Sequence, residues 1–259
     1  HEARRLLLLA AGRDPAWMVG GPGIPEDVAA RFVAFAERRR SGEPLQYIEG
    51  TVQFGPLELL IDERALIPRP ETERLWEMLV AELQPEPQVV VDLCTGSGNL
   101  ALALQHAFPK ARVVGVDLSP ASIALARENA AKTQLETRFV EGDLFAPVPS
   151  SMRGIVDLVV SNPPYVASGE MADLPGEIRD HEPIEALEAG LTGLEVLARI
   201  AGEVGHWLRP GGVVACEIGE TQATACLEMF SEFGPRIEND LVGRPRYVLG
   251  RAPERSNVH

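Results

Sequence analysis

The sequence predicts an α/β fold: a small helical N-terminal domain and a β-hairpin linker precede a Rossmann-like, mostly parallel sheet. Three observations carry this expectation. Apolar runs of strand length alternate with helical stretches from residue 89 to about residue 188. One run, Val89-Val90-Val91-Asp92-Leu93, opens into the glycine-rich Cys94-Thr95-Gly96-Ser97-Gly98, and a helix follows. Another, Ile155-Val156-Asp157-Leu158-Val159-Val160-Ser161, stops at Asn162-Pro163-Pro164-Tyr165.

Residues 1–44 read as a helical domain, with helices from Glu2 to Ala11 and from Pro25 to Arg40 separated by Gly20-Gly21-Pro22-Gly23. Arg4-Arg5 before Leu6-Leu7-Leu8-Leu9-Ala10-Ala11 mimics a signal peptide, but Asp14 and Trp17 continue a helical pattern, so the stretch is read as a core helix. The abrupt start without methionine sets the expectation that a further helix precedes His1. Residues 45–70 form the linker, with two short strands between residues 45 and 62 around Phe54-Gly55-Pro56. Pro70 opens a helix over Glu71 to Leu83, because its missing N–H falls where a helix leaves N–H groups unpaired; Glu71 and Glu73 suit the positive end of the helix dipole. Residues 71–259 form the sheet domain. Within it, Ala111 to Val116 and Thr137 to Val140 read as strands, Leu194 to Leu208 as a helix, and Gly212 to Ile218 as a buried strand.

Composition narrows the class. A chain of 259 residues with 45% hydrophobic content has enough apolar surface for a sizeable core. No run of about 18 apolar residues occurs, so no membrane span is expected. Three cysteines, Cys94, Cys216 and Cys226, lack ligand spacing, which predicts reduced thiols, a cytoplasmic location and no metal. The net charge of −14 argues against direct nucleic acid binding, and Arg38-Arg39-Arg40 reads as the charged end of a helix. A monomer is expected.

The strand ends carry the chemistry. Gly96 and Gly98 allow a tight turn and a close ligand approach. Gly96-x-Gly98-x-x-Ala101 also satisfies a dinucleotide fingerprint, so a nicotinamide-dependent oxidoreductase is a rival. Asp117 ends the next strand about 20 residues on, where an acid can take ribose hydroxyls. Asp143 follows the third strand, placed to accept from an adenine amino group, with Leu144 and Phe145 as apolar walls. Asp92 is placed to face a ligand amine. S-adenosylmethionine has a ribose, an adenine and a charged amino acid but no phosphate, and suits this set better than a dinucleotide. At Asn162-Pro163-Pro164-Tyr165, neither proline has an N–H, and Asn162 and Pro163 are both driven extended by the proline that follows. Two acceptors and a ring suit a planar –NH2 group; the plainer alternative is a strand ending in a proline turn.

Together, Asp92 to Gly98, Asp117, Asp143 and Asn162-Pro-Pro-Tyr165 resemble class I S-adenosylmethionine methyltransferases acting on amino or amide nitrogen. Glu43-Pro44-Leu45-Gln46-Tyr47-Ile48-Glu49-Gly50, Leu66-Ile67-Pro68-Arg69-Pro70-Glu71-Thr72-Glu73 and Arg179-Asp180-His181-Glu182-Pro183 resemble the protein-(glutamine-N5) methyltransferases of peptide chain release factors, the PrmC/HemK family. The resemblance runs from about Glu2 to Arg251. It implies a seven-stranded sheet ending in a hairpin near Arg236-Ile237-Glu238 and Tyr247 to Gly250, and a helical domain that recognises the release factor. It further implies cofactor binding by Cys94, Thr95, Gly96, Ser97, Gly98, Asp117, Asp143, Leu144 and Asn162, with Arg69, Glu71 and Thr72 closing over the cofactor. His181 and Glu182 are expected to brace the Asn-Pro-Pro-Tyr loop, Glu217 to accept a hydrogen bond behind it, and His106 and His206 to lie on helix surfaces. Cys94 and Leu144 depart from common family residues, and Pro245 replaces a usual Asp. Gly169 to Pro175 looks closer to a sister family that methylates a large-subunit ribosomal protein. That family, a methyltransferase for base amines and a noncatalytic docking protein are the alternatives.

A glutamine amide is a poor nucleophile, because its lone pair is delocalised. Catalysis is therefore expected to rest on position. Asn162, Pro163, Pro164 and Tyr165 would bind the substrate, with Asn162 Oδ1 and the Pro163 carbonyl accepting the two amide hydrogens and Tyr165 packing on the amide plane.

Overall fold

The computed structural model describes residues 1–12 and 23–254. The expected separator at Gly20-Gly21-Pro22 and the helical pattern through Asp14 and Trp17 lie outside these residues. Helices α1 (Glu2–Ala10) and α2 (Glu26–Arg40) pack with α3 (Leu45–Glu49) around buried Leu6, Leu45 and Ile48. Residues 45–49 are thus helical, where the sequence suggested a strand. Gly50, at φ +70°, ends that helix in the left-handed region. The helical cluster therefore reaches past residue 44.

Strands β1 (Thr51–Phe54) and β2 (Leu57–Leu60) form an antiparallel hairpin, and α4 (Pro70–Glu82) follows. The main sheet has seven strands: β3 (Val89–Leu93), β4 (Arg112–Asp117), β5 (Arg138–Glu141), β6 (Val156–Ser161), β7 (Leu208–Glu217), β8 (Arg236–Asn239) and β9 (Pro245–Arg251). Their order is β5-β4-β3-β6-β7-β9-β8, and only β9 runs against its neighbours.

The helices α5 (Asn99–Ala107), α6 (Pro120–Thr133), α7 (Gly176–Arg179), α8 (Glu195–Val204) and α9 (Ala223–Met229) complete the chain. Every residue of β3 is buried, as a strand covered on both faces requires. Two large apolar clusters flank the sheet; one holds Leu75, Leu79 and Leu100 to Leu104, the other Leu197, Ile200, Trp207 and Phe230. No described helix is long and apolar enough to cross a membrane.

Two element boundaries differ from expectation. Helix α8 stops at Val204, and β7 begins at Leu208, so Pro210-Gly211-Gly212 lies inside a strand. The His206 and Trp207 carbonyls accept from Gly154 and Val156 N–H, drawing this segment toward β6, and a register shift between Val156 and Leu158 absorbs the irregularity. His206 accordingly sits in a turn, while His106 lies on α5 and is exposed. Between Asn162 and Glu188 the chain forms short 3-10 turns and the single turn α7, because prolines 163, 164, 175 and 183 interrupt longer helices.

Candidate active site

Sheet order decides where the site lies. The chain leaves β3 toward β4 and β5, then returns to place β6 on the other side of β3. Such a reversal opens a crevice at the carboxyl ends of the two central strands. Register puts Leu93 beside Ser161, and Ser161 Oγ donates to the Leu93 carbonyl at 2.8 Å. The glycine-rich turn and the Asn-Pro-Pro-Tyr segment therefore leave adjacent strands side by side.

The turn is fastened from beneath. Thr95 Oγ1 and Ala101 N–H both donate to Asp92 Oδ2, at 2.5 and 3.1 Å. Asp92 is fully buried, and among the described residues its Oδ1 has no hydrogen-bond partner. Burial outweighs the two hydrogen bonds and pushes its carboxyl up to about 7. Asp92 thus holds the loop from inside; it does not face a ligand as the sequence suggested. Thr95 and Ser97 are likewise buried, so the turn is only partly open, at Cys94, Gly96 and Asn99. Burial also raises the Cys94 thiol, and Cys94 takes a left-handed φ of +56°.

Gly96 has φ +54°, and a Cβ built there meets nothing within 4 Å, which leaves an open cradle. Its N–H donates to Asp117 Oδ2 at 2.8 Å, while Ser119 N–H donates to Oδ1 at 2.9 Å. Burial raises the Asp117 carboxyl despite these bonds. Across residues 94–99 there is no basic side chain, and Asp117 adds negative charge. That donor set fits a ribose and a cationic amino acid, and fits a pyrophosphate poorly. Leu144 is buried at the same edge, with φ +46°. Asp143 gains a partner the sequence did not suggest, and one expectation changes. Asp143 is ion-paired, with Arg199 Nη2 donating to its Oδ2 at 2.7 Å. Phe145 is not a wall of the crevice; it stacks on Trp207 in the core, with ring centroids 5.3 Å apart.

The Asn-Pro-Pro-Tyr segment is fixed by long-range contacts. Asn162 Nδ2 donates to Thr72 Oγ1 at 3.0 Å, and Thr72 Oγ1 donates to Glu217 Oε2 at 2.7 Å. Tyr165 OH donates to Glu217 Oε1 at 3.3 Å. Glu217 is buried at the end of β7; burial pushes its carboxyl up to about 7, against the Thr72 hydrogen bond and the Arg246 charge. Gln222 Nε2 donates to the Tyr165 and Gly193 carbonyls, both at 3.0 Å. Pro163 is buried, and among the described residues no backbone N–H donates to its carbonyl.

The Arg69-Pro-Glu-Thr block makes three long-range contacts. Thr72 holds Asn162, Arg69 Nη2 donates to Glu182 Oε1 at 2.5 Å, and the Glu71 carbonyl accepts from Tyr247 OH at 2.7 Å. Glu182 Oε2 also accepts from Ile67 N–H at 3.2 Å. The block therefore ties the linker to the loop after β6 and to the terminal hairpin. Arg199 and Gln222 escaped the sequence reading, because a charged helix position and a loop glutamine carry no local signal. Thr72 was noticed, but not as a partner of Asn162.

Known proteins bear on this geometry. A family model described as "Methyltransferase small domain" matches residues 72–176, and one described as "PrmC N-terminal domain" matches residues 1–50. A release factor glutamine methyltransferase of Mycolicibacterium smegmatis is 44% identical over 90% of this chain and 83% of its own. That of Deinococcus radiodurans is 40% identical over 96% of this chain and 90% of its own. Among solved structures, a Thermus thermophilus 16S rRNA N2 G1207 methyltransferase, in complex with AdoMet and guanosine, has a TM-score of 0.56 at 20% identity, covering 78% of this chain and 49% of its own. A Pyrococcus furiosus methyltransferase has a TM-score of 0.57 at 18% identity, covering 77% and 90%. At these identities the structural likeness concerns the fold alone.

Proposed function

The chain belongs to the release factor glutamine methyltransferase family, and from that premise we infer that Asn162 Oδ1 and the Pro163 carbonyl hold the side-chain amide of a release-factor glutamine. The enzyme transfers a methyl group from S-adenosylmethionine to that amide nitrogen. The named relatives favour this substrate over the ribosomal protein and the base amine.

The observation that carries the site assignment is the orientation of Asn162. Its Nδ2 is turned to Thr72, which directs Oδ1 the other way, as an acceptor. With the Pro163 carbonyl, it offers two acceptors to the two amide hydrogens of glutamine. Each hydrogen bond draws electron density toward nitrogen and holds the amide plane. The Tyr165 ring, held through its carbonyl by Gln222 and through its hydroxyl by Glu217, offers a face to that plane. Gly96 leaves room for the cofactor, Asp117 would take its ribose hydroxyls, and Leu144 would border its base. When bound, S-adenosylmethionine supplies an electrophilic methyl group on a sulfonium.

Both Glu217 oxygens already accept from protein hydroxyls, so Glu217 is not assigned as the base. As the nitrogen–methyl bond would form and the sulfur–methyl bond break, leaving S-adenosylhomocysteine, Asn162 Oδ1 and the Pro163 carbonyl would stabilise the positive charge growing on the amide nitrogen until its proton passes to solvent. Holding reactants in line can lower such a barrier by roughly 7–11 kcal/mol.

Asn162→Ala is expected to bind S-adenosylmethionine normally by calorimetry and to lose about 100-fold or more in kcat. Near-wild-type transfer of labelled methyl to purified release factor by this variant would overturn the assignment.

A further inference from the structure

We propose that Thr72 and Glu217 are positioning residues that set which end of the Asn162 amide faces the substrate. The proposal rests on the assignment of Asn162 as the amide acceptor. An asparagine amide can sit in either of two orientations, and only one presents oxygen to a substrate –NH2. What selects that orientation lies far away in sequence.

Glu217 is the origin of the polarity. Above about pH 7 the Glu217 carboxyl is ionised, and an ionised carboxylate only accepts hydrogen bonds. Thr72 has a single hydroxyl proton, and the 2.7 Å bond to Glu217 Oε2 uses it. Toward Asn162 the Thr72 oxygen can then offer only a lone pair. Nδ2 therefore faces Thr72 at 3.0 Å, and Oδ1 points away. Tyr165 OH occupies the other Glu217 oxygen, so one carboxylate orders both the acceptor and the ring of the amide site. Glu217 and Thr72 are buried, at 1% exposure each, so water does not compete for these bonds. The three elements involved are the first turn of α4, the end of β6 and the end of β7. The family-typical Arg-Pro-Glu-Thr block thereby gains a role: its threonine passes the polarity of a buried acid to the reacting amide.

A packing role and a positioning role make different predictions. Thr72→Val keeps the shape and removes the hydroxyl. In the full-length chain it is expected to lower kcat for methyl transfer to purified release factor by about 10- to 100-fold, the scale of a small misplacement of a reacting group. KM for release factor and calorimetric affinity for S-adenosylmethionine should stay within about twofold. Thr72→Ser, which keeps the hydroxyl, should restore most of the loss. Glu217→Met frees the Thr72 proton to donate to Asn162 Oδ1, which turns the amide the wrong way, so kcat should again fall without a change in KM. Because the residues act in series, the double variant should lose no more than the worse single variant.

Wild-type kcat in Thr72→Val, a serine variant as impaired as the valine variant, a loss confined to KM, or multiplied losses in the double variant would each refute the proposal. Should Thr72→Val fail to fold, Glu217→Met and Thr72→Ser decide by the same readouts. A wild-type protein that leaves release factor unlabelled refutes the functional reading itself. A wild type that labels it, beside an equally active Thr72→Val, refutes only the positioning role.

Discussion

Replacing Gly98 with alanine probes how the cofactor turn is built. Gly98 has φ +82°, where a side chain costs about 1–2 kcal/mol. Its added Cβ would also fall 2.7 Å from Phe139 Cζ and 3.2 Å from Ala126 Cβ. The Phe139 ring also packs closely over Gly115, where an added Cβ would lie 2.6 Å from it. Overpacking of this kind adds about 1–3 kcal/mol. The sum is roughly 2–5 kcal/mol of lost stability.

Gly96→Ala is the internal control. It shares the positive φ, +54°, but its Cβ meets nothing within 4 Å. It should therefore lose only about 1–2 kcal/mol. Its methyl projects into the cradle, so S-adenosylmethionine affinity should fall by about tenfold, or 1.4 kcal/mol. Urea denaturation measures the first quantity and calorimetry the second. If Gly98→Ala came within about 1 kcal/mol of wild type, or proved more stable than Gly96→Ala, the packing of this turn would be refuted.

Other substitutions test other joints. Among the described residues, Arg69→Met leaves the buried Glu182 carboxylate with the Ile67 N–H alone, and should cost roughly 1–3 kcal/mol in urea denaturation, moderated because Arg69 is partly exposed. Adding Glu182→Gln to that variant should recover part of the loss. Asp92 titrates near 7 when folded, against 3.8 as its ordinary value, so its contribution to stability is complete below about pH 4 and declines as pH rises to 7. The stability of wild type relative to Asp92→Asn should therefore fall by about 3 kcal/mol between pH 5 and pH 8, near 1.4 kcal/mol per pH unit until the group is ionised. A pH-independent difference between the two proteins would show that Asp92 does not carry this linkage.

Much of the fold was legible because its signals are local. Val89 to Leu93 and Val156 to Ser161 are apolar runs of strand length, and each stops at residues that cannot continue a strand. Pro70 and the acids after it mark the start of α4 by the chemistry of a helix end. Residues 45–49 misled because a five-residue stretch with apolar Leu45, Tyr47 and Ile48 reads equally as strand or helix, and packing of Leu45 and Ile48 on Leu6 settles it. Leu208 to Gly212 misled because pairing with β6 overrides the usual effect of Pro210 and the glycines.

The sequence by itself determined that a glycine-rich turn and an Asn-Pro-Pro-Tyr turn end two buried strands, since periodicity and proline geometry act within a few residues. The tertiary structure alone decided that these two strands are neighbours and that β9 runs in reverse. It also decided that Arg199 holds Asp143, and that Thr72 and Glu217 reach Asn162 and Tyr165. These partners stand 52 to 145 residues apart, and only the order of strands and the packing of α4 and α8 against them bring their side chains within hydrogen-bond distance.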